Sequence, residues 1–379
     1  MSHQAMIYMR WVRFAVDVVL EGRSFVVINM DETSTHTVKD TGQGLKSRSK
    51  PEHSVTYRRR DAEDRSDVKT TLLATVCDAA GLQPFLPQVL LPKYTRNAAP
   101  PRTMLAEYAS TGSPLEYWHG TAGMATTTVI KRWATRMRSI IHSFDPEAWI
   151  LLIWDCSQTH LNLEVASHLR RLGILVIMVP AKLTWLLQVC DVCVFRELKT
   201  RMRMQKSCHR LSADHGQLNV GEWVSCCASA VREVIVNRSW EDSFDKMGLG
   251  STLATMAGRA RRAIDPDHVH AGLPTRAEFA RMVNRSADTE AFRRLHQSIV
   301  GYFLQVFSLP VGMPPRQGAV CALPEVPEAR KRARLEAAGD VTWEDVLQAH
   351  LSNTPSRVRS IPHGREPALS RTIVVPMME

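Results

Sequence analysis

Three aspartates in this chain sit where carboxylates could do chemistry. Asp31 closes the apolar run FVVINM, Asp155 closes WILLIW, and Asp191 lies near the start of a helical segment whose apolar face should pack on the same sheet. An aspartate after a strand is most often a turn or helix-cap residue, and for any one of the three that remains the better reading. In an open α/β sheet, however, ligands bind in the crevice beyond the carboxyl ends of the strands. Neighbouring strands would bring all three acids to one such edge. Like charges gathered there are costly unless cations neutralise them. Hard divalent ions answer that need, since Mg²⁺ binds through a few carboxylates plus substrate phosphates. Two Mg²⁺ (or Mn²⁺) ions about 3.5–4 Å apart clamp the attacking and leaving oxygens of an in-line displacement at phosphorus. The expected metal-binding and catalytic residues are therefore Asp31, Asp155 and Asp191. Glu32 adjoins Asp31, but strand alternation sends it to the other face, so it stays outside the expected site.

The elements that must position these acids are clearest in the middle of the chain. WILLIW (149–154) and ILVIMV (174–179) read as strands buried on both faces. Between them Leu161, Val165, Leu169 and Leu172 recur at helical spacing, with Asn162 as N-cap and Gly173 as the stop. Strand, helix, strand over about thirty residues is a parallel right-handed crossover. Thr184 is read as the cap of the next helix, with Asp191, Phe195, Leu198 and Met202 on one face. Earlier, VKTTLLATVCDAAGLQPFLPQVLLP (68–92) reads as a hairpin around Ala79-Ala80-Gly81, and a helix is expected from about Thr126 to His142. After residue 206 the pattern is helical to about 305, and then Pro- and Arg-rich, with one short helix expected in VTWEDVLQAHL (341–351).

The stretches INMDET (28–33), LLIWDCSQTH (151–160) and VPAKLTWLLQVCDVCVFRELKTRMR (179–203) resemble the DDE-superfamily endonuclease domain of pogo-type, mariner-like transposases, a group related to jerky-like and centromere protein B-like proteins. In the last motif Pro180, Thr184, Gln188, Asp191 and Lys199 all stand in register, and 35 residues separate Asp155 from Asp191. The resemblance implies an RNase H-like α/β fold, a mixed sheet flanked by helices with a helical C-terminal extension. It also implies hydrolysis of DNA by metal-activated water, followed by joining of the freed 3′-hydroxyl to a target. His160 matches the family's histidine and is expected either to position Asp155 or the scissile phosphate, or to serve as a structural histidine. Two departures flank the acids, Cys156 for the usual Asn and Val189 for the usual Pro. With 24 residues ahead of the first strand, the expectation is a core without the family's helix-turn-helix head. The expected domains are a lead-in (1–24), the catalytic core (25–205), a helical extension (206–307) and a weakly ordered tail (308–379). The rival reading is a catalytically inactive, domesticated nucleic-acid-binding protein.

Composition agrees with a polyanionic partner. Among 379 residues, 48 Lys and Arg face 38 Asp and Glu, for a net charge of +10, and each phosphate neutralised would release a counterion. Basic residues cluster at Lys46–Arg60, Arg196–Lys206, Arg259–Arg262 and Arg330–Arg334. In the second cluster Lys199, Arg201, Arg203 and Lys206 follow Asp191 along its helix and are the expected nucleic-acid contacts, with a solvated helix face as the equal alternative. The run RKRAR (330–334) reads as a nuclear localisation signal or nucleic-acid patch. The eight cysteines lack the paired spacing of a secreted framework. Cys190 and Cys193, near Cys208-His209, are read as packing residues rather than a zinc site. No stretch approaches the roughly 18 apolar residues a membrane helix requires. A soluble nuclear protein is expected, with DNA and a second copy of itself as partners.

Overall fold

The computed structural model describes residues 2–36, 69–93, 115–118, 123–212, 220–250, 252–311 and 313. At its centre is one mixed sheet of six strands: β1 (Phe25–His36), β2 (Lys69–Cys77), β3 (Gln88–Lys93), β4 (Leu115–Tyr117), β5 (Trp149–Trp154) and β6 (Ile174–Met178), in the order β4-β3-β2-β1-β5-β6. β1 pairs antiparallel with β2 and parallel with β5, while β5 pairs parallel with β6. Every residue of β5 and β6 is buried, which is why both read as unbroken apolar runs: a parallel strand covered on two faces has no use for alternation.

The crossover between them is α3 (Leu163–Arg171). Asn162 caps it by accepting from Glu164 N at 2.8 Å, and Gly173 follows at φ +76°, where a Cβ would be strained. Before β5 runs α2 (Thr127–Phe144), capped by Thr126. The hairpin of β2 and β3 forms as expected, but its two strands cease to pair beyond Leu73↔Val89. Buried glutamines complete the ladder: Thr75 N and Cys77 N each donate to a glutamine Oε1, of Gln88 and Gln83, at 2.9 Å.

The first residues form α1 (Ser2–Arg13), which runs on into a π-helical turn at Phe14–Val19. Trp11 is fully buried and meets Phe279 and Phe303 edge-on, at 5.9 and 5.6 Å. Those rings belong to α9 (Arg276–Met282) and α10 (Glu290–Phe307), so the lead-in and the helical extension form one apolar layer. Asp17 breaks the apolar run in sequence and is tolerated because Arg13 pairs with it one turn away. The remaining helices are α4 (Thr184–Leu187), α5 (Phe195–Ser212), α6 (Val220–Val231), α7 (Glu241–Lys246) and α8 (Gly258–Arg261).

The helix around Asp191 departs from the sequence reading. Thr184 is the first residue of short α4 and caps nothing. A π-helical turn, Cys190–Val194, then leads into α5. A π turn holds an extra residue, so the residues before it are rotated relative to those after it. Phe195, Leu198 and Met202 are buried, whereas Asp191 is exposed and leaves their face. The clusters Lys46–Arg60 and Arg330–Arg334 and the helix expected at 341–351 lie outside the described residues.

Candidate carboxylate site

Asp31 is carried by β1 just beyond its last pair with β5, Asn29↔Ile153. Extending that parallel register sets Asp31 level with Asp155, the first residue after β5. Asn29 lies on the same face of β1 as Asp31 and ties three segments together. Its Nδ2 donates to Ile153 O at 2.7 Å, and its Oδ1 accepts from Cys190 N at 2.8 Å. One buried amide therefore pins the segment of Asp191 against the strands of the other two acids. Asp31 is 7% exposed. Burial raises its pKa well above the carboxylate range, and the charges of Asp191, Asp155 and Glu32 push it further, against one hydrogen bond from Glu32 N at 2.7 Å. All three expected aspartates thus lie in one electrostatic neighbourhood.

The opposite face of the same strands carries a second grouping. His160 is fully buried and stacks on Trp154, with ring centroids 4.1 Å apart and planes 7° from parallel. Its Nδ1 lies 2.6 Å from Asp155 Oδ1, and its Nε2 lies 3.3 Å from Glu32 Oε1, off line for a good hydrogen bond. Burial alone would lower the imidazole pKa, but the hydrogen bond to Asp155 and the charges of Asp155 and Glu32 outweigh it and raise it to about 10. The imidazolium in turn acts on Asp155, whose burial pushes its pKa up. The bonds from His160 and from Ser157 N, the latter 3.0 Å away, bring it below the usual value.

Glu32 is the residue that sequence reasoning left out. Alternation does send it away from Asp31, but the face it reaches is that of Trp154, where His160 stacks. Parity along β1 and β5 was the available signal. Among the described residues, the metal-ligating atoms within 4.8 Å of one another belong to Glu32, Asp155 and His160. In its protonated form the imidazole is a donor to both acids and has no lone pair to offer a cation. The carboxylates of Asp155 and Asp191 act on Asp31 through their charge, and oxygen donors of this kind suit a hard divalent ion.

The basic residues of α5 have separate fates. Arg201 is ion-paired with Glu233 and Lys206 is buried, while Arg203 is exposed and Lys199 is half-buried beside the Phe195 ring. In the Arg259–Arg262 cluster, Arg259 lies over the exposed Trp185 ring at 4.5 Å. Cys190 is buried, with Sγ 3.9 Å from Asn29 O. Cys156 Sγ donates to Val179 O at 2.9 Å, so the residue standing for the family's usual Asn is bonded to the end of β6.

Comparison with known proteins identifies the family. The model of the DDE superfamily endonuclease family matches residues 69–269, more than half of the chain. No curated protein and no solved structure matches. Asp155 and Asp191 lie inside the matched stretch, and Asp31 precedes it, joined to it by the pairing of β1 with β5 and β2. Endonuclease domains of this superfamily use divalent metal ions, and the six-stranded mixed sheet flanked by helices is their RNase H-like fold. On the match and the architecture together, this chain belongs to the DDE superfamily of endonucleases.

Proposed function

We propose that this chain is the catalytic core of a pogo-type transposase, cleaving and joining DNA with two Mg²⁺ ions held by Asp31, Asp155 and Asp191. The observation that carries the reading is Asn29, whose side chain bonds both β5 and the Asp191 segment and so ties all three acids to one sheet edge. The pogo assignment is supported by the register of Pro180, Thr184, Gln188, Asp191 and Lys199. When bound, the ions would activate the attacking water and stabilise charge on the leaving oxygen.

The chain's own residues do the positioning. His160 and Ser157 N hold Asp155 Oδ1 in one orientation and keep the carboxylate ionised. Asp31 is buried with its charge opposed by its neighbours, so a cation there relieves a cost the fold already bears. On α5, Arg203 and Lys199 remain the candidates for contact with the DNA backbone. RKRAR supports a nuclear location.

The test is nicking of supercoiled DNA by the purified chain with Mg²⁺ or Mn²⁺, beside Asp155→Asn. Cleavage should fall more than about 100-fold in the variant, since losing a ligand should exceed the ~10–100-fold typical of second-shell losses. Equal cleavage by both proteins would place the activity elsewhere. No cleavage by the unaltered chain, with salt-sensitive DNA binding retained, would replace the nuclease reading with that of a DNA-binding relative.

A further inference from the structure

An open groove of about 930 Å³ is lined in part by the turn that follows Asp155. Its apolar lining includes the buried residues Leu161, Phe292 and Leu295, and Lys131, Arg171 and Arg285 supply positive charge. Gln158 and Leu161 come from the turn that joins Asp155 to α3, the same turn that carries His160. The chain leaving β6 is bonded to the segment just before Arg285, with Ala181 N donating to Met282 O at 2.9 Å.

The charge balance favours an anion. Lys131 is paired with Glu164 at 3.2 Å, so one of the three cations is answered by an acid inside the groove. Arg171 and Arg285 are exposed and form no ion pair among the described residues. The first turns of α3 and α10 also open here, each N-terminus already satisfied by its cap, Asn162 or Thr289. Uncommitted guanidinium groups above an apolar lining suit a chain of sugars and phosphates, because arginine takes phosphate oxygens in a two-pronged fashion while the sugar faces cover the carbon surface. Resting on the nuclease reading above, we propose that this groove seats the phosphodiester backbone of the bound DNA on the His160 side of the cleavage point, with Arg171 and Arg285 as its phosphate contacts.

The test is the salt dependence of binding, measured by fluorescence anisotropy of a labelled DNA duplex in EDTA, so that neither metal nor cleavage enters. Arg171→Gln combined with Arg285→Gln should reduce the slope of log K against log salt by about 1.8, at about 0.9 per duplex phosphate contact, while Arg276→Gln on the exposed start of α9 should leave it unchanged. Restoring charge with Arg171→Lys and Arg285→Lys should recover the slope. An unchanged slope in the double Gln variant, with thermal unfolding as in the unaltered chain, would overturn the proposal and leave the groove to an acidic protein segment. Absence of DNA binding by the unaltered chain would overturn it as well. A reduced slope in a chain that never cleaves would keep the groove and remove the nuclease, so the two readings fail separately.

Discussion

Two histidines of this chain are buried almost equally, His160 at 0% and His296 at 3% exposure, yet their protons are held in opposite ways. At His296, on α10, burial lowers the pKa to about 4, and the charge of Arg276 adds to the effect against the hydrogen bond that its ring donates to Pro274 O. At His160 burial acts in the same direction, but Asp155 and Glu32 reverse it and carry the pKa to about 10. Burial is common to both, and the neighbouring charges decide. The consequence for the site is spatial. The Glu32 side of Asp155 already has a buried cation in the imidazolium, whereas Asp31 is crowded by three acids. The proposed divalent ion is accordingly assigned to the side of Asp31, where it would offset the charges that act on that carboxylate.

The largest expected effect tests the neutral histidine. The pKa of His296 in the folded chain, about 4, lies below the ~6.5 of an unfolded histidine. Between those values the unfolded chain binds more protons, so stability falls as pH drops. The contribution is complete above about pH 6.5 and shrinks by about 3 kcal/mol on approaching pH 4, with about 2 kcal/mol lost by pH 5. Urea unfolding at pH 7.5 and 5.0 checks this, and His296→Gln should lose less stability than the unaltered chain over that interval. Equal losses in the two proteins would break the comparison on its neutral side.

The charged histidine is tested through the carboxylate it holds. His160→Asn removes the partner 2.6 Å from Asp155, and residues that orient a metal ligand typically contribute 10- to 100-fold. The expected fall in metal-dependent cleavage is of that size, accompanied by a raised metal requirement in a Mg²⁺ titration. Activity within twofold of the unaltered chain would make His160 a packing residue. The smallest effect belongs to Glu32, which lies 3.3 Å from Nε2 and off line for a hydrogen bond. Glu32→Gln should cost less than about tenfold, roughly 1.4 kcal/mol. A loss as deep as that of Asp155→Asn would instead make Glu32 a metal ligand and shift the site to the other face of the strands.

What the amino-acid order determined unaided was local. WILLIW and ILVIMV are buried strands because six or so consecutive apolar residues, bounded by an acid or a proline, leave little else to form. Asn162 and Gly173 bound α3 because a side-chain acceptor and a residue free to adopt positive φ are what helix ends require. Asp155 stands directly after a strand, as its sequence context indicates, whereas Asp31, expected to end one, lies inside β1. Tertiary structure decided the rest. β1 runs on to His36 because β2 continues to pair with it after β5 has ended. The π turn at Cys190 turns Asp191 out of the face of Phe195 and Leu198, a rotation invisible to helical periodicity. α1 is held by Phe279 and Phe303, far along the chain. Glu32 meets His160 only because two strands distant in sequence lie in one register. Caps and periodicity act over a few residues and are written where they act, whereas register and burial arise from partners that the chain must first bring together.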